Sequence, residues 1–257
     1  GSNFADTFDA TGFAGDSLQL GTPIGFNEFE GGAGNDTITG LVNSQGAPLT
    51  RVSYVNATAG VTVDFDAKTA DGNASVDHDT FIGGGVAQVI GSAFVDHLSG
   101  SNNPFGTVEV FDGRAGDDII DGRGGFDRVD YNGDATTTSG ISVNLAAGTV
   151  TAINPLDHTV GNDTLISIEA VRGTLNNDIY DATGFGSGSV NAGSNGTFNE
   201  FTGVGGTDTV IGNGNTRLAF NNAPSGVSVN LQTGATPGTG VATSSFGTIN
   251  FSGVNAV

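Results

Sequence analysis

Residues 31–39 read GGAGNDTIT. Two glycines lead, a third stands fourth, an Asp stands sixth and an apolar residue, Ile38, stands eighth. Glycine adopts φ > 0 without the steric cost that side chains impose, so the first six residues read as a tight turn. The last three alternate polar, apolar, polar, the pattern of a short strand with Ile38 facing inward. Such a unit cannot bury its apolar residue alone. It needs copies of itself stacked above and below.

The pattern returns. Residues 26–40, FNEFEGGAGNDTITG, are answered from Phe198 by FNEFTGVGGTDTV, and residues 1–13, GSNFADTFDATGF, by GTLNNDIYDATGF at 173–185. A more diverged middle copy holds GSAFVDHLSG at 91–100 and the run 111–131. The chain therefore divides into 1–90, 91–172 and 173–257, tandem repeats of about 85 residues with no Pro- or Ser-rich linker at either seam. That continuity predicts one structural domain. Sixth-place acids are Asp6, Asp36, Asp96, Asp118, Asp178 and Asp208, followed two places on by Phe8, Ile38, Leu98, Ile120, Tyr180 and Val210. The middle copy adds GRGGFDRVD at 122–130, with Asp127 sixth and Val129 eighth, where the flanking copies carry Thr50 and Thr216. Loops of variable length separate the nonapeptides. A GVTVDF-like strand and a closing apolar strand complete each copy.

Composition agrees with frequent turns around a narrow core: 44 Gly, 6 Pro and 36% apolar residues. Helical periodicity is nowhere sustained, and short β-branched runs recur. The reading is an all-β fold, a right-handed parallel β-solenoid (β-roll or β-helix) of on the order of 12 coils. No apolar run reaches the ~18 residues of a membrane span. With 27 acids against 7 Lys and Arg, the net charge is −20. This disfavours nucleic acid and anionic membrane surfaces as partners. A compact chain of that charge repels itself, and divalent cations offset such repulsion. Cysteine is absent, so neither disulfides nor thiolate metal sites enter. The opening GSNFADTF lacks a basic-then-apolar leader, and the pattern is already under way at both ends. The chain reads as a segment of something longer.

The nonapeptides resemble the repeat of the hemolysin-type (RTX) calcium-binding proteins. The resemblance implies Ca²⁺ held between stacked turns by backbone carbonyls and Asp carboxylates, hard oxygens that this ion accepts six to eight at a time. It also implies a secreted or cell-surface bacterial protein using one-step, type I-like export. Carried over residue by residue, the candidate metal ligands are Gly31, Ala33, Asn35 and Asp36 in the first copy, and Asp96, Asp117, Asp118 and Asp127 in the middle one. Asp208, with Asp6 and Asp178 of the degenerate nonapeptides, completes the set. The expected pairs are Asp6 with Asp36, Asp96 with Asp118, and Asp178 with Asp208, although the loops stretch them beyond the family spacing. Only Gly31-Gly32 keeps both leading glycines; Arg114, Arg123 and Val204 stand second elsewhere. A side chain there either keeps the turn from closing on an ion or, as an arginine, supplies the positive charge itself. The ion is expected at the Asp36 and Asp118–Asp127 turns, with Asp208 left open. The competing reading of every such Asp is a turn residue bonding its own backbone.

Arg51, Arg128 and Arg217 are equivalent in the three copies and read as clamps on carboxylates or carbonyls of the next coil. His78, His97 and His158 lie far apart and lack the convergent partners of a zinc site. No nucleophile elbow, phosphate loop or zinc-helix motif occurs, and the abundance of acids makes any chosen carboxylate pair uninformative. No catalytic residue is therefore assigned. The function expected is a calcium-stabilised structural solenoid segment. The alternatives are a polysaccharide-binding module resembling the repeat modules of secreted mannuronan epimerases, and a lyase or epimerase on a parallel β-helix. An arginine row lining an exposed groove would favour the former.

Overall fold

The computed structural model describes residues 1–13, 27–44, 46–103, 108–133, 136–193, 196–221, 223–232 and 238–257. Part of the loop expected between the first two strands, 14–26, lies outside the described residues. The described residues form 22 strands in one sheet and no helix, with mostly parallel pairing.

One face is unbroken. It stacks β2 (Asn27–Phe29), β4 (Thr50–Ser53), β8 (Val86–Ile90), β10 (Val108–Asp112), β12 (Phe126–Asp130), β16 (Ala170–Arg172) and β18 (Asn199–Thr202), then the ends of two long strands, β19 (Thr207–Leu218) and β22 (Gly247–Ala256). All nine levels run parallel. Alternation along each strand turns one row inward: Val52, Val89, Phe111, Val129, Val171, Phe201 and Leu218 are in register and buried.

The opposite face carries the nonapeptide strands in parallel triplets. β1 (Thr7–Asp9), β3 (Thr37–Thr39) and β7 (His78–Ile82) form the first. β9 (His97–Ser99), β11 (Ile119–Asp121) and β15 (Asn162–Ile166) form the second. β17 (Ile179–Asp181), β19 and β22 form the third. Their inward rows are Phe8–Ile38–Phe81, Leu98–Ile120–Leu165 and Tyr180–Val210–Phe251. Ile38, Ile120 and Val210 are buried at equivalent places, as the eighth-place rule predicts.

Each triplet is followed in space by an antiparallel pair, which corrects the expectation of parallel coils throughout. The pairs are β5 (Thr62–Asp64) with β6 (Thr69–Asp71), β13 (Ile141–Asn144) with β14 (Thr149–Ala152), and β20 (Ser228–Leu231) with β21 (Gly240–Ser244). The GVTVDF-like strands sit here. Asp64 Oδ1 accepts the Ala67 N–H at 2.8 Å and Asn144 Oδ1 the Ala147 N–H at 3.0 Å. Lys68 (φ 62°) and Gly148 (φ 66°) complete the reversals. The chain thus doubles back where a coil was expected to continue.

Candidate functional site

The sixth-place acids form ladders along the stack. The Asp6 N–H donates to Asp36 Oδ1 at 2.8 Å, the Asp96 N–H to Asp118 Oδ1 at 2.8 Å and the Asp178 N–H to Asp208 Oδ1 at 3.0 Å. These are the three expected pairs, brought onto adjacent levels across separations of 30, 22 and 30 residues. Each carboxylate therefore caps the backbone of the neighbouring coil. The ladders extend one level further through acids that the sequence reading missed. Asp36 donates its N–H to Asp79 Oδ1 and Asp118 donates its own to Asp163 Oδ1, both at 3.0 Å. Asp79-Thr80-Phe81 and Asp163-Thr164-Leu165 repeat the Asp-then-apolar spacing, and Gly161-Asn162-Asp163-Thr164, with Gly161 at φ 77°, repeats Gly34-Asn35-Asp36-Thr37. That spacing was the available signal.

Asp79 and Asp163 are saturated, because Tyr54 and Tyr131 donate their hydroxyls to the second oxygens at 3.1 and 2.8 Å. In the third copy Phe220 stands where the tyrosines do and Ile249 stands opposite Asp208. Hydroxyl and carboxylate have disappeared together, as a buried polar pair requires.

The second place of the nonapeptide decides the fate of the other carboxylate oxygen. In the degenerate turns it is Ser2, Ser92 or Thr174, whose backbone N–H donates to Oδ2 of Asp6, Asp96 or Asp178 at 2.5, 2.6 and 2.8 Å. The Ser92 and Thr174 hydroxyls also donate to the Asp oxygens. In the other type the second residue is Gly32 (φ 83°), Arg114 (φ 67°) or Arg123 (φ 61°). There Asp36 Oδ2, Asp118 Oδ2 and both Asp127 oxygens are buried with no hydrogen-bond donor among the described residues. The left-handed conformation accompanies this loss: the Arg114 and Arg123 N–H groups go to Asp112 and Asp121 instead. The first-place glycine is indispensable in both types. A Cβ on Gly31 would lie 2.0 Å from Asp36 Oδ2, and one on Gly113 2.2 Å from Asp118 Oδ2.

Burial raises the carboxyl pKa values along these ladders. Asp118 is pushed to about 9, by burial first and the Asp163 charge second. Asp127 reaches about 9 through burial and the charges of Glu109 and Glu169, its neighbours on the levels to either side. Asp163 reaches about 8 through burial. Asp208 and Asp178 rise to about 7 and about 6, again chiefly by burial. Asp36 and Asp96 also rise through burial, whereas the Ser2 backbone N–H lowers Asp6.

The remaining candidates lie at the turn surface. Asn35 Oδ1 accepts the His78 N–H at 3.2 Å, and Asp117 Oδ1 accepts the Asn162 N–H at 2.9 Å, so both cap the next coil. Ala33 donates its N–H to the Ser2 carbonyl at 3.1 Å. The residues fit a hard cation at the second type of turn. A buried carboxyl oxygen lacks a donor among the described residues, and the glycine cradle admits no side chain. Among the described residues no three acidic or histidine side chains converge on one point, so carbonyls of the turns would have to supply most ligands.

Arg51, Arg128 and Arg217 occupy one outward row of the unbroken face, the row of Glu28, Gln88, Val110, Ala170 and Glu200. Arg51 pairs with Glu28 and Arg217 with Glu200, one level away; Arg128 and Arg172 share Asp130. Arg51 and Arg217 clamp carboxylates of the adjacent level as expected, whereas Arg128 holds Asp130 of its own strand. Comparison with protein-family models and with curated proteins found no match for the chain.

Proposed function

We propose that this chain is a calcium-stabilised structural segment, a right-handed β-solenoid of three tandem ~85-residue repeats from a secreted or cell-surface RTX-like protein. The observation that carries the reading is the division of the turns. The buried carboxylate oxygens without a donor belong to Asp36, Asp118 and Asp127, in turns whose second residue is left-handed. Turns with Ser or Thr second satisfy their own carboxylate and have no need of an ion. Bound there, Ca²⁺ would supply the positive charge that three buried acids, each beside further acids of the neighbouring levels, lack. The recurrence of a parallel triplet plus an antiparallel pair supports the threefold repeat. Export follows from the resemblance, since calcium is plentiful outside cells and scarce within.

The polysaccharide-module alternative loses support from the arginine row, whose guanidiniums already hold carboxylates. A calcium titration by calorimetry tests the proposal. Asp118→Asn is expected to lower the number of ions bound, and Asp96→Asn, in a self-satisfied turn, to leave it unchanged. No binding by the unaltered chain, or equal losses in both variants, would refute it.

A further inference from the structure

A second inward ladder leads into the unbroken face, as the sixth-place acids lead into the opposite one. Its members stand two residues before the buried row of that face, so they turn the same way. In the first copy they are Asn27, Thr50 and Ala87, and in the third Asn199 and Thr216. These are uncharged and hydrogen-bonded where polar. Thr50 donates its hydroxyl to Asn27 Oδ1 at 2.7 Å and accepts the Leu41 N–H at 2.8 Å. Asn213 Oδ1 accepts the Thr216 hydroxyl at 3.2 Å and an Asn199 amide N–H at 3.0 Å. In the middle copy the three places are all acids, Glu109, Asp127 and Glu169, on consecutive levels. They are 2%, 0% and 2% exposed. The fold does not require them, since the flanking copies build the same levels without a charge.

The three acids are not equally satisfied. Glu109 accepts the Ser101 N–H and hydroxyl, each at 2.8 Å. Glu169 Oε2 accepts the Asp127 N–H at 2.9 Å. Asp127, between them, has no donor for either carboxyl oxygen among the described residues. The Arg123 guanidinium of the same turn is turned to Asp64 and the Gly100 carbonyl. After burial, the Glu109 charge is the largest influence raising the Asp127 pKa, ahead of Glu169. Glycines keep side chains away from these oxygens. A Cβ on Gly122 would lie 2.6 Å from Asp127 Oδ2 and 2.4 Å from the Ser167 carbonyl oxygen. One on Gly100 would lie 2.5 Å from both Glu109 Oε2 and the Gly122 carbonyl oxygen. Two backbone carbonyls thus border the two carboxyl groups. A buried acid flanked by others needs a compensating charge. A proton gives Asp127 a donor but leaves its other oxygen bare, whereas a divalent cation engages both.

We propose that the middle copy holds a divalent cation between the levels of Glu109 and Asp127, at the turns that lead into the unbroken face. The two carboxylates and the Gly122 and Ser167 carbonyls are its ligands. Glu169 is a positioning residue, which fixes Asp127 through its backbone N–H. Hard oxygens from side chains and carbonyls in loose geometry suit Ca²⁺ better than Mg²⁺. The choice of ion rests on the calcium reading above and deepens it at Asp127. The site itself stands on Glu109 and Glu169, which lie outside the nonapeptides.

Counting the ions bound per chain tests this, by equilibrium dialysis against radioactive calcium. Glu109→Gln is expected to lose one ion, Asp118→Asn another, and the double variant both. A further variant takes the first copy's residues, Glu109→Asn with Asp127→Thr and Glu169→Ala, a set that the fold already accommodates. It is expected to lose one ion. It should also melt above the unaltered chain in chelator, where three buried acids are gone, and gain less from calcium. Circular dichroism checks folding, and this variant carries the count should Glu109→Gln fail to fold. If Asp118→Asn loses an ion while Glu109→Gln and the first-copy variant lose none, this site is overturned and the calcium reading of the nonapeptides stands. Loss in Glu109→Gln without loss in Asp118→Asn supports this site and overturns that reading. An unaltered chain that binds no calcium overturns both.

Discussion

A carboxylate with one bonded oxygen and one bare oxygen, buried beside a glycine, is the smallest unit of this molecule. Its cost is set by what surrounds the second oxygen. Tyr131 removes that cost for Asp163. Tyr131→Phe is expected to destabilise by about 1–3 kcal/mol, measured by denaturant unfolding, because Asp163 Oδ2 then loses its donor. Adding Asp163→Ile should recover part of the loss, since the third copy carries Phe220 and Ile249 at these places. The titration of the ladders gives a second expectation. Asp118, Asp127 and Asp163 have folded pKa values of about 9, 9 and 8, all raised by burial. A raised folded value means that stability is fully present below the unfolded pKa of ~3.9 and is lost as pH rises through the folded one. In chelator, the melting temperature should therefore fall between about pH 5 and about pH 9. Calcium should flatten that fall, because an ion replaces the proton as the neutralising charge. A melting temperature that rises over this range in chelator would contradict the burial of these acids.

At the scale of elements, stability rests on rows of apolar side chains two residues beyond each ladder acid. Ile120 lies between Leu98 and Leu165 and is fully buried. Ile120→Ala is expected to cost about 2–4 kcal/mol through lost transfer energy and a cavity. A cost below ~0.5 kcal/mol would place the side chain outside the core. This row was legible in the sequence because strand alternation fixes the relation: if Asp118 faces in, Ile119 faces out and Ile120 faces in. The pairs Asp6–Asp36, Asp96–Asp118 and Asp178–Asp208 came instead from the resemblance of the nonapeptides to a stacked-turn repeat, since alternation alone does not say which acid lies above which. The antiparallel pairs were not legible, because their strands carry the same β-branched alternation as the coils. What reverses them is a side chain–backbone bond at Asp64 or Asn144 together with the left-handed Lys68 or Gly148. Asp79 escaped notice because no glycine turn precedes it, and Asp163 because His158-Thr159, not a glycine pair, leads its nonapeptide although Gly161 stands where Gly34 does. The division of the turns by their second residue was visible in the letters, but its consequence depends on the sign of φ.

For the whole molecule, charge and shape pull against each other. A chain of net charge −20 is wound so that acids stack level upon level, with neighbouring copies adding theirs in line. Hydrophobic rows, carboxylate-clamped arginines and backbone caps hold the stack, but among the described residues they leave Asp36, Asp118 and Asp127 with bare oxygens. A ligand that binds only the folded chain stabilises it by RT ln(1 + [L]/Kd), about 2.7 kcal/mol per site at one hundred times Kd. Extracellular calcium modules often have Kd of about 10⁻⁴–10⁻³ M, so millimolar calcium should be enough to register. The most direct test is the melting temperature at neutral pH in chelator, in Ca²⁺ and in Mg²⁺. The account predicts a lower value in chelator, restoration by Ca²⁺ and far less effect of Mg²⁺, with the gain reduced in Asp36→Ala and Asp118→Ala and intact in His97→Ala. A melting temperature that moves with neither chelation nor added calcium would contradict it.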